Sequence, residues 1–254
     1  MEWAQIFSEA RAVGFILLFV RFGALFMATP IFSHQSIPMS VKAAMAFFFT
    51  VVFYPSMPEV QIAITAPSLA VAILGEMLFG LAVGLVLQLA FHVITFAGGQ
   101  ISFTMGFSLA SAIDPQTGVS MPIISQFLSL LALMVLFSVN LHHWVLLYVN
   151  GSLAAIPLGG FMLTEHLFNY IIKAAGNMFI VGFMIAFPII AINWLADIIF
   201  GMLMKSMPQF NLLVIGFPIK IGVALVVLIA TLASTLLIVQ QQVQGAFNWL
   251  GTFF

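Results

Sequence analysis

The chain has 254 residues, of which 63% are hydrophobic and 5% charged, and its net charge is -1. Soluble domains carry about 25% charged residues, and so few charges cannot cover the core of a soluble chain this long; the mean hydropathy of +1.24 points to an all-α integral membrane protein. The near-neutral balance leaves no basic field for nucleic acid, and the absence of Cys excludes disulfides, thiolate zinc sites and cysteine nucleophiles.

A membrane span needs about 20 predominantly apolar residues, and six segments meet that measure. The N-terminus has Glu2 and Glu9 in place of a basic leader region, so the first apolar run is expected to be retained. That run, Ala12 to Thr29, contains Arg21 and is closed by Pro30. Pro38 suits the first turn of the second helix, Met39 to Met57, where its missing N–H costs nothing. The third helix, Ser68 to Ala97, is long enough to require tilt, a kink or an extension beyond the bilayer. Gly98-Gly99 is expected to end it.

The stretch from Gly98 to Pro122 is rich in Gly, Ser and Thr, and Asp114 is its one charge. It is too broken for a span and too apolar for a water-facing loop. Irregular backbone at membrane depth is tolerated only where protein or a water-filled cavity surrounds it, so this stretch is expected to be enclosed. Asp114 is expected to bond backbone N–H groups in a turn before Pro115.

The fourth helix is expected over Ile123 to Val149, with a turn at Asn150-Gly151 and then a polar patch of Glu165, His166, Asn169 and Lys173. The fifth, Ala174 to Met204, contains Pro188, and the sixth, Asn211 to Val239, contains Pro218. The triplets Phe187-Pro188-Ile189 and Phe217-Pro218-Ile219 predict a hairpin whose arms bend at matching places. The tail, with a Gln run and then Phe247, Trp249, Phe253 and Phe254, has the pattern of an amphipathic end lying at a membrane interface. Alternating six spans puts Lys42 and Lys205 on one side and Arg11 and Lys173 on the other, so the basic residues set no orientation.

Arg21, Glu76, Asp197 and Lys220 lie within apolar runs. Such residues face protein or a water-filled path. They fit either an ion or proton relay or helix-to-helix pairing in a complex, and pairing alone satisfies the cost. Arg21 has no carboxylate within one helical turn, so its partner must come from another helix or another chain. His142 and His143 are adjacent and point about 100° apart on a helix. No His pair four residues apart with a Glu is present, so no metal site is expected; burial beside Trp144 with a hydrogen bond is. The patterns of nucleophile elbow, P-loop and paired carboxylates are missing, and neither catalysis nor a cofactor is expected. Gly80-x-x-x-Gly84 allows close helix approach, within this chain or with a partner. The 28 Phe residues call for broad contacts with lipid or other subunits.

Several ordered motifs resemble one family. Pro30 to Lys42, PIFSHQSIPMSVK, resembles the first connector of the FliR family of flagellar export proteins, which includes the T subunit of type III injectisomes. Gly99-Gln100-Ile101, Met105-Gly106-Phe107 and Asp114-Pro115-Gln116 resemble its central segment. Asn140-x-His142-x-Trp144 and Met207-Pro208-Gln209 with Ile215-Gly216-Phe217-Pro218 resemble its later signatures. Here His34, Gln35, Met39 and Ser40 stand in a connector that often carries basic residues, and Leu141 replaces a common Gly.

The resemblance implies a subunit of the type III secretion export gate at the flagellar basal body, in the bacterial inner membrane. With P and Q subunits it would form a helical hetero-oligomer that conducts unfolded flagellar proteins, beside further FlhB-like and FlhA-like membrane subunits and lipid. Residues 1–173 would resemble a P subunit and residues 174–254 a Q-like hairpin. The central segment, 98–122, would be the plug of the closed channel. Its plug residues would be Met105, Gly106, Phe107, Ser108, Leu109, Ala110, Ser111, Ala112, Ile113, Asp114, Pro115, Gln116, Thr117, Gly118 and Met121. The rival reading is an ion-coupled small-solute transporter that uses Arg21, Glu76, Asp197 and Lys220, with helices broken at Pro188 and Pro218. A purely structural assembly nucleus is a third.

Overall fold

A computed structural model describes residues 9–33, 37–58, 60, 65–107, 122–207 and 212–252. Among these residues every regular element is helical, with no strand. The helices are α1 (Glu9–Ala28), α2 (Met39–Phe53), α3 (Ala66–Thr104), α4 (Ile123–Ser138), α5 (Leu141–Ala155), α6 (Glu165–Ser206) and α7 (Phe217–Gly251). Five helices are long and apolar enough to cross a membrane, or six if the bent pair α4 and α5 counts as one span. The all-α membrane class read from composition is therefore the architecture found.

Helix ends follow local chemistry that composition does not reveal. Pro38 is the cap of α2 rather than a residue of its first turn, and its carbonyl accepts from the N–H groups of Val41 and Lys42 at 3.0 and 3.2 Å. Helix α3 does not stop at Gly98-Gly99 but continues to Thr104. Gly98 is there for close approach: a Cβ on it would lie 2.4 Å from Ser125 Cα. The fourth expected helix is two helices, broken next to Asn140, whose φ of 59° is left-handed. Asn is one of the few residues besides Gly that adopts this conformation readily. The turn expected at Asn150-Gly151 is absent, and α5 runs through it to Ala155.

Thr164 precedes α6, where its Oγ1 accepts the N–H of Leu167 at 3.3 Å. Pro188 lies inside this continuous 42-residue helix. Pro218 lies near the start of α7, directly after a π-helical turn, Leu212–Gly216. The two prolines therefore stand at different places along their helices, one deep inside and one close to the start. In the tail, helix α7 carries the Gln run onward to Gly251, with Val243, Ala246, Phe247 and Leu250 buried against protein; Phe253 and Phe254 of the expected amphipathic end lie outside the described residues.

The chain divides into two compact units. Unit 1 comprises Met1–Leu89, Val139–Ala174 and Val243–Phe254; unit 2 comprises Ala90–Ser138 and Ala175–Gln242. The core of unit 1 is built from Leu17, Leu18, Phe22, Leu25 and Phe26 of α1 with Phe79, Val83 and Leu87 of α3 and Val145 and Val149 of α5. Phe22 and Phe26 pack against Phe49, at ring distances of 6.1 and 5.5 Å. In unit 2, Ile94, Ala97 and Ile101 of α3, Leu128 and Ala132 of α4, and Ala186 and Ile189 of α6 are buried. Phe96 meets Phe179 and Phe183 edge-on, both at 5.1 Å.

Candidate functional site

Arg21 sits on the buried stripe of α1, in step with Leu17, Leu18 and Leu25. That spacing of three and four residues puts its side chain into the core of unit 1 rather than toward a solvent-exposed face. Glu76 lies on the inner face of α3, between Ala72 and Phe79, and both charged residues are fully buried. Small residues allow the two helices to meet. A Cβ on Gly80 would lie 2.7 Å from Ala24 Cβ and 2.8 Å from the Arg21 carbonyl oxygen. One on Gly84 would lie 2.2 Å from Ala28 Cβ. The glycine pair thus serves packing inside this chain.

The guanidinium grips the carboxylate with two nitrogens. Arg21 Nε donates to Glu76 Oε2, and Nη2 donates to Oε1 at 3.0 Å. Nη1 donates to Ser152 Oγ at 3.0 Å, and Nη2 also reaches the Ile156 carbonyl at 3.3 Å. The Ser152 hydroxyl donates in turn to the Val149 carbonyl at 2.6 Å. The Gly159 N–H donates to Glu76 Oε1 at 2.6 Å. Phe79 lies beneath the guanidinium, 4.6 Å from its carbon to the ring centre, and Phe161 packs edge-on against Phe79 at 5.4 Å. Planar bidentate pairing and a ring face are what a buried arginine needs. The result ties α1, α3, the end of α5 and the loop at 156–161 into one saturated cluster.

Sequence reasoning found the arginine and the glutamate but not Ser152, Ile156 or Gly159. Gly159 has a φ of 78°, and the Gly159-Gly160 doublet was the available signal for a tight loop there.

Asp197 and Lys220 form a second pair, in unit 2. Lys220 Nζ donates to both carboxylate oxygens, at 2.7 and 2.8 Å. The Asp197 side chain is 52% exposed and that of Lys220 is 11% exposed. Trp194, Ile198 and Ile219 near them in sequence are exposed too. The histidine pair departs from expectation: His143 and Trp144 are exposed, and Leu141, Val145 and Val149 take the buried face of α5. Trp144 instead meets Phe247 edge-on at 5.9 Å.

Of the expected plug residues, Met105 is fully buried, and Gly106 has a φ of 87° with the Phe217 ring against it. Phe107 is half-buried. The expected plug residues at 108–118, the turn at Asp114, and Met121 lie outside the described residues.

Residues 12–246 match the family described as bacterial export proteins, family 1. The chain belongs to that family. The matched range holds both ion pairs, Gly106 and Phe217. Among curated proteins, it is 33% identical over 232 residues to the flagellar biosynthetic protein FliR of Bacillus subtilis strain 168, covering 89% of this chain and 88% of that protein. It is 32% identical over 214 residues to the protein of that name in Pectobacterium carotovorum, covering 83% of this chain and 80% of the relative. For the Escherichia coli K12 protein the identity is 30% over 202 residues, covering 80% and 77%.

Proposed function

We propose that this chain is a membrane subunit of the flagellar type III export gate, part of the channel that passes unfolded flagellar proteins across the bacterial inner membrane. The observation that carries the reading is the family match over 12–246 together with relatives named as flagellar biosynthetic proteins. In this reading the chain works beside P and Q subunits and FlhA-like and FlhB-like components. Residues 1–173 are its P-like part and residues 174–254 its Q-like hairpin. Within the central segment, 98–122, the part beyond the end of α3 closes the channel at rest. The subunit performs no turnover chemistry; energy comes from elsewhere in the machine.

The buried cluster favours this over the transporter reading. A relay or coupling-ion site needs groups that can change partners. Arg21 and Glu76 instead have each of their polar atoms engaged by protein donors or acceptors. Purification separates the two: a transporter is stable as a monomer or small homo-oligomer, whereas a gate subunit needs its partners.

The channel reading is tested by deleting a few residues between Ser108 and Thr117. The complex should assemble, and its conductance in planar bilayers should rise above wild type while secretion continues at an altered level. Assembly with unchanged conductance removes the segment as the seal. Failure to assemble makes it part of the structural core.

A further inference from the structure

We propose that the hairpin of α6 and α7 in unit 2, in the chain by itself, meets lipid acyl chains between two polar clasps, Asn177–Gln242 and Asp197–Lys220, and that each clasp stands at a headgroup level. The inference goes beyond the channel reading and does not depend on it.

Length alone does not place these helices in a bilayer. Helix α6 has 42 residues and α7 has 35. At a rise of about 1.5 Å per residue they measure about 63 and 52 Å, against about 30 Å of hydrocarbon. The contacts between the arms narrow the choice. Asn177 Nδ2 donates to Gln242 Oε1 at 2.7 Å, and Lys220 Nζ donates to both Asp197 oxygens. The later residue on α6 meets the earlier one on α7, so the arms are antiparallel. On either arm the clasps stand about 20 residues apart, or about 30 Å of helix. That is the thickness of the hydrocarbon core.

The residues between the clasps suit that layer. No Asp, Glu, Lys or Arg stands in 178–196 or 221–241, and the other charges of α6, Glu165, Lys173 and Lys205, all fall outside. Asn193 is buried, and Thr231 Oγ1 donates to the Val227 carbonyl of its own helix at 2.9 Å. The open surface is predominantly apolar, with Ile180, Met184, Phe187, Val226 and Ile229 exposed. Trp194, also exposed, stands one turn inside the Asp197 clasp, and Trp is enriched at membrane–water boundaries. A rival register exists because the apolar run continues past Asp197, from Ile198 to Met204. Sliding the hairpin that way would sink the half-open Asp197–Lys220 pair among acyl chains, at a cost.

Met184 and Met202 separate the two registers. They stand about five turns of α6 apart and so share a face; both are exposed, the first between the clasps and the second beyond them. The chain has no Cys, so Met184→Cys and Met202→Cys each carry a single thiol. The full chain is made in a bacterium that has no other flagellar export proteins, and its opened membranes are treated with two probes. One is a charged, water-soluble maleimide; the other is an apolar photoreactive carbene precursor dissolved in the bilayer and read by peptide mass. The Met202→Cys thiol should react with the maleimide and the Met184→Cys thiol should not, while the carbene should label α6 around Met184 and not around Met202. Carbene labelling around Met202 overturns the register. A Met184→Cys thiol open to the maleimide means a water-filled path, and a Met184 region closed to both probes means a face covered by protein, such as a second copy; either overturns the lipid contact. A second measurement needs no thiol. Met184→Arg should lower accumulation in the membrane severalfold more than Met202→Arg, and equal losses overturn the proposal. None of these outcomes bears on the conductance test of the channel reading.

Discussion

The two ion pairs have the same chemistry and opposite surroundings. Arg21–Glu76 in unit 1 is fully buried and saturated, with Ser152, Ile156 and Gly159 taking up its remaining bonds. Lys220–Asp197 in unit 2 is bidentate as well, but its carboxylate is half open and its neighbours on the helix are exposed apolar side chains. A charge facing acyl chains is expensive, so the open pair belongs on a surface that faces protein or water. The closed pair has no such need. One pair ties the elements of its unit together, and the other lies on an open face.

The largest effect expected from this contrast is on the closed pair. Glu76→Gln leaves a buried guanidinium without its counter-charge, a change of about 3–5 kcal/mol for broken buried pairs. The variant chain should fail to accumulate in the membrane fraction, as read by immunoblot. Lys220→Gln should cost about 1 kcal/mol or less in the isolated chain. If the two substitutions lower accumulation equally, the contrast is wrong.

Exchanging the charges sharpens the comparison further. The pair Asp197→Lys with Lys220→Asp should restore most of what either change loses, because among the described residues no further hydrogen bond to the open pair sets its polarity. Arg21→Glu with Glu76→Arg should not recover. The Gly159 N–H would then face a cation and the Ile156 carbonyl an anion. Accumulation of the variant chain in the membrane fraction reads both.

A smaller effect is expected where the helices that carry the closed pair meet. Gly84→Ala places a Cβ 2.2 Å from Ala28 Cβ, and overpacking of this kind costs about 1–3 kcal/mol. The melting temperature of the purified protein should fall. Gly99→Ala, inside α3 with nothing within 4 Å of the added carbon, is the control that should not lower it. The smallest concerns the break between α4 and α5. Asn140→Gly should be nearly silent, since glycine accepts the left-handed conformation freely, and Asn140→Ala should lower the melting temperature slightly.

Much was legible in one dimension because the membrane imposes simple rules. Sparse charge and runs of apolar residues were enough for the helical class and for the approximate places of the helices. Arg21 and Glu76 were visible because a charge in an apolar run has few tolerable explanations. The errors fell at glycines, prolines and asparagines, whose meaning depends on what lies opposite. Gly98 reads as a helix end, yet it is a contact with Ser125, and the end is Gly106. Pro188 and Pro218 read alike, but one lies deep inside a helix and the other directly after a π-helical turn. Asn150-Gly151 reads as a turn and is helical, while the break came at Asn140.

By itself the sequence determined that the chain is an all-α membrane protein and which four charges need partners, because hydrophobic burial and charge desolvation act on residue types wherever they occur. Only the tertiary structure decided who those partners are. Glu76 is 55 residues from Arg21, and Ser152 is 131 residues away. Such pairings depend on which helix faces pack together, and packing is set by the shape of both surfaces at once.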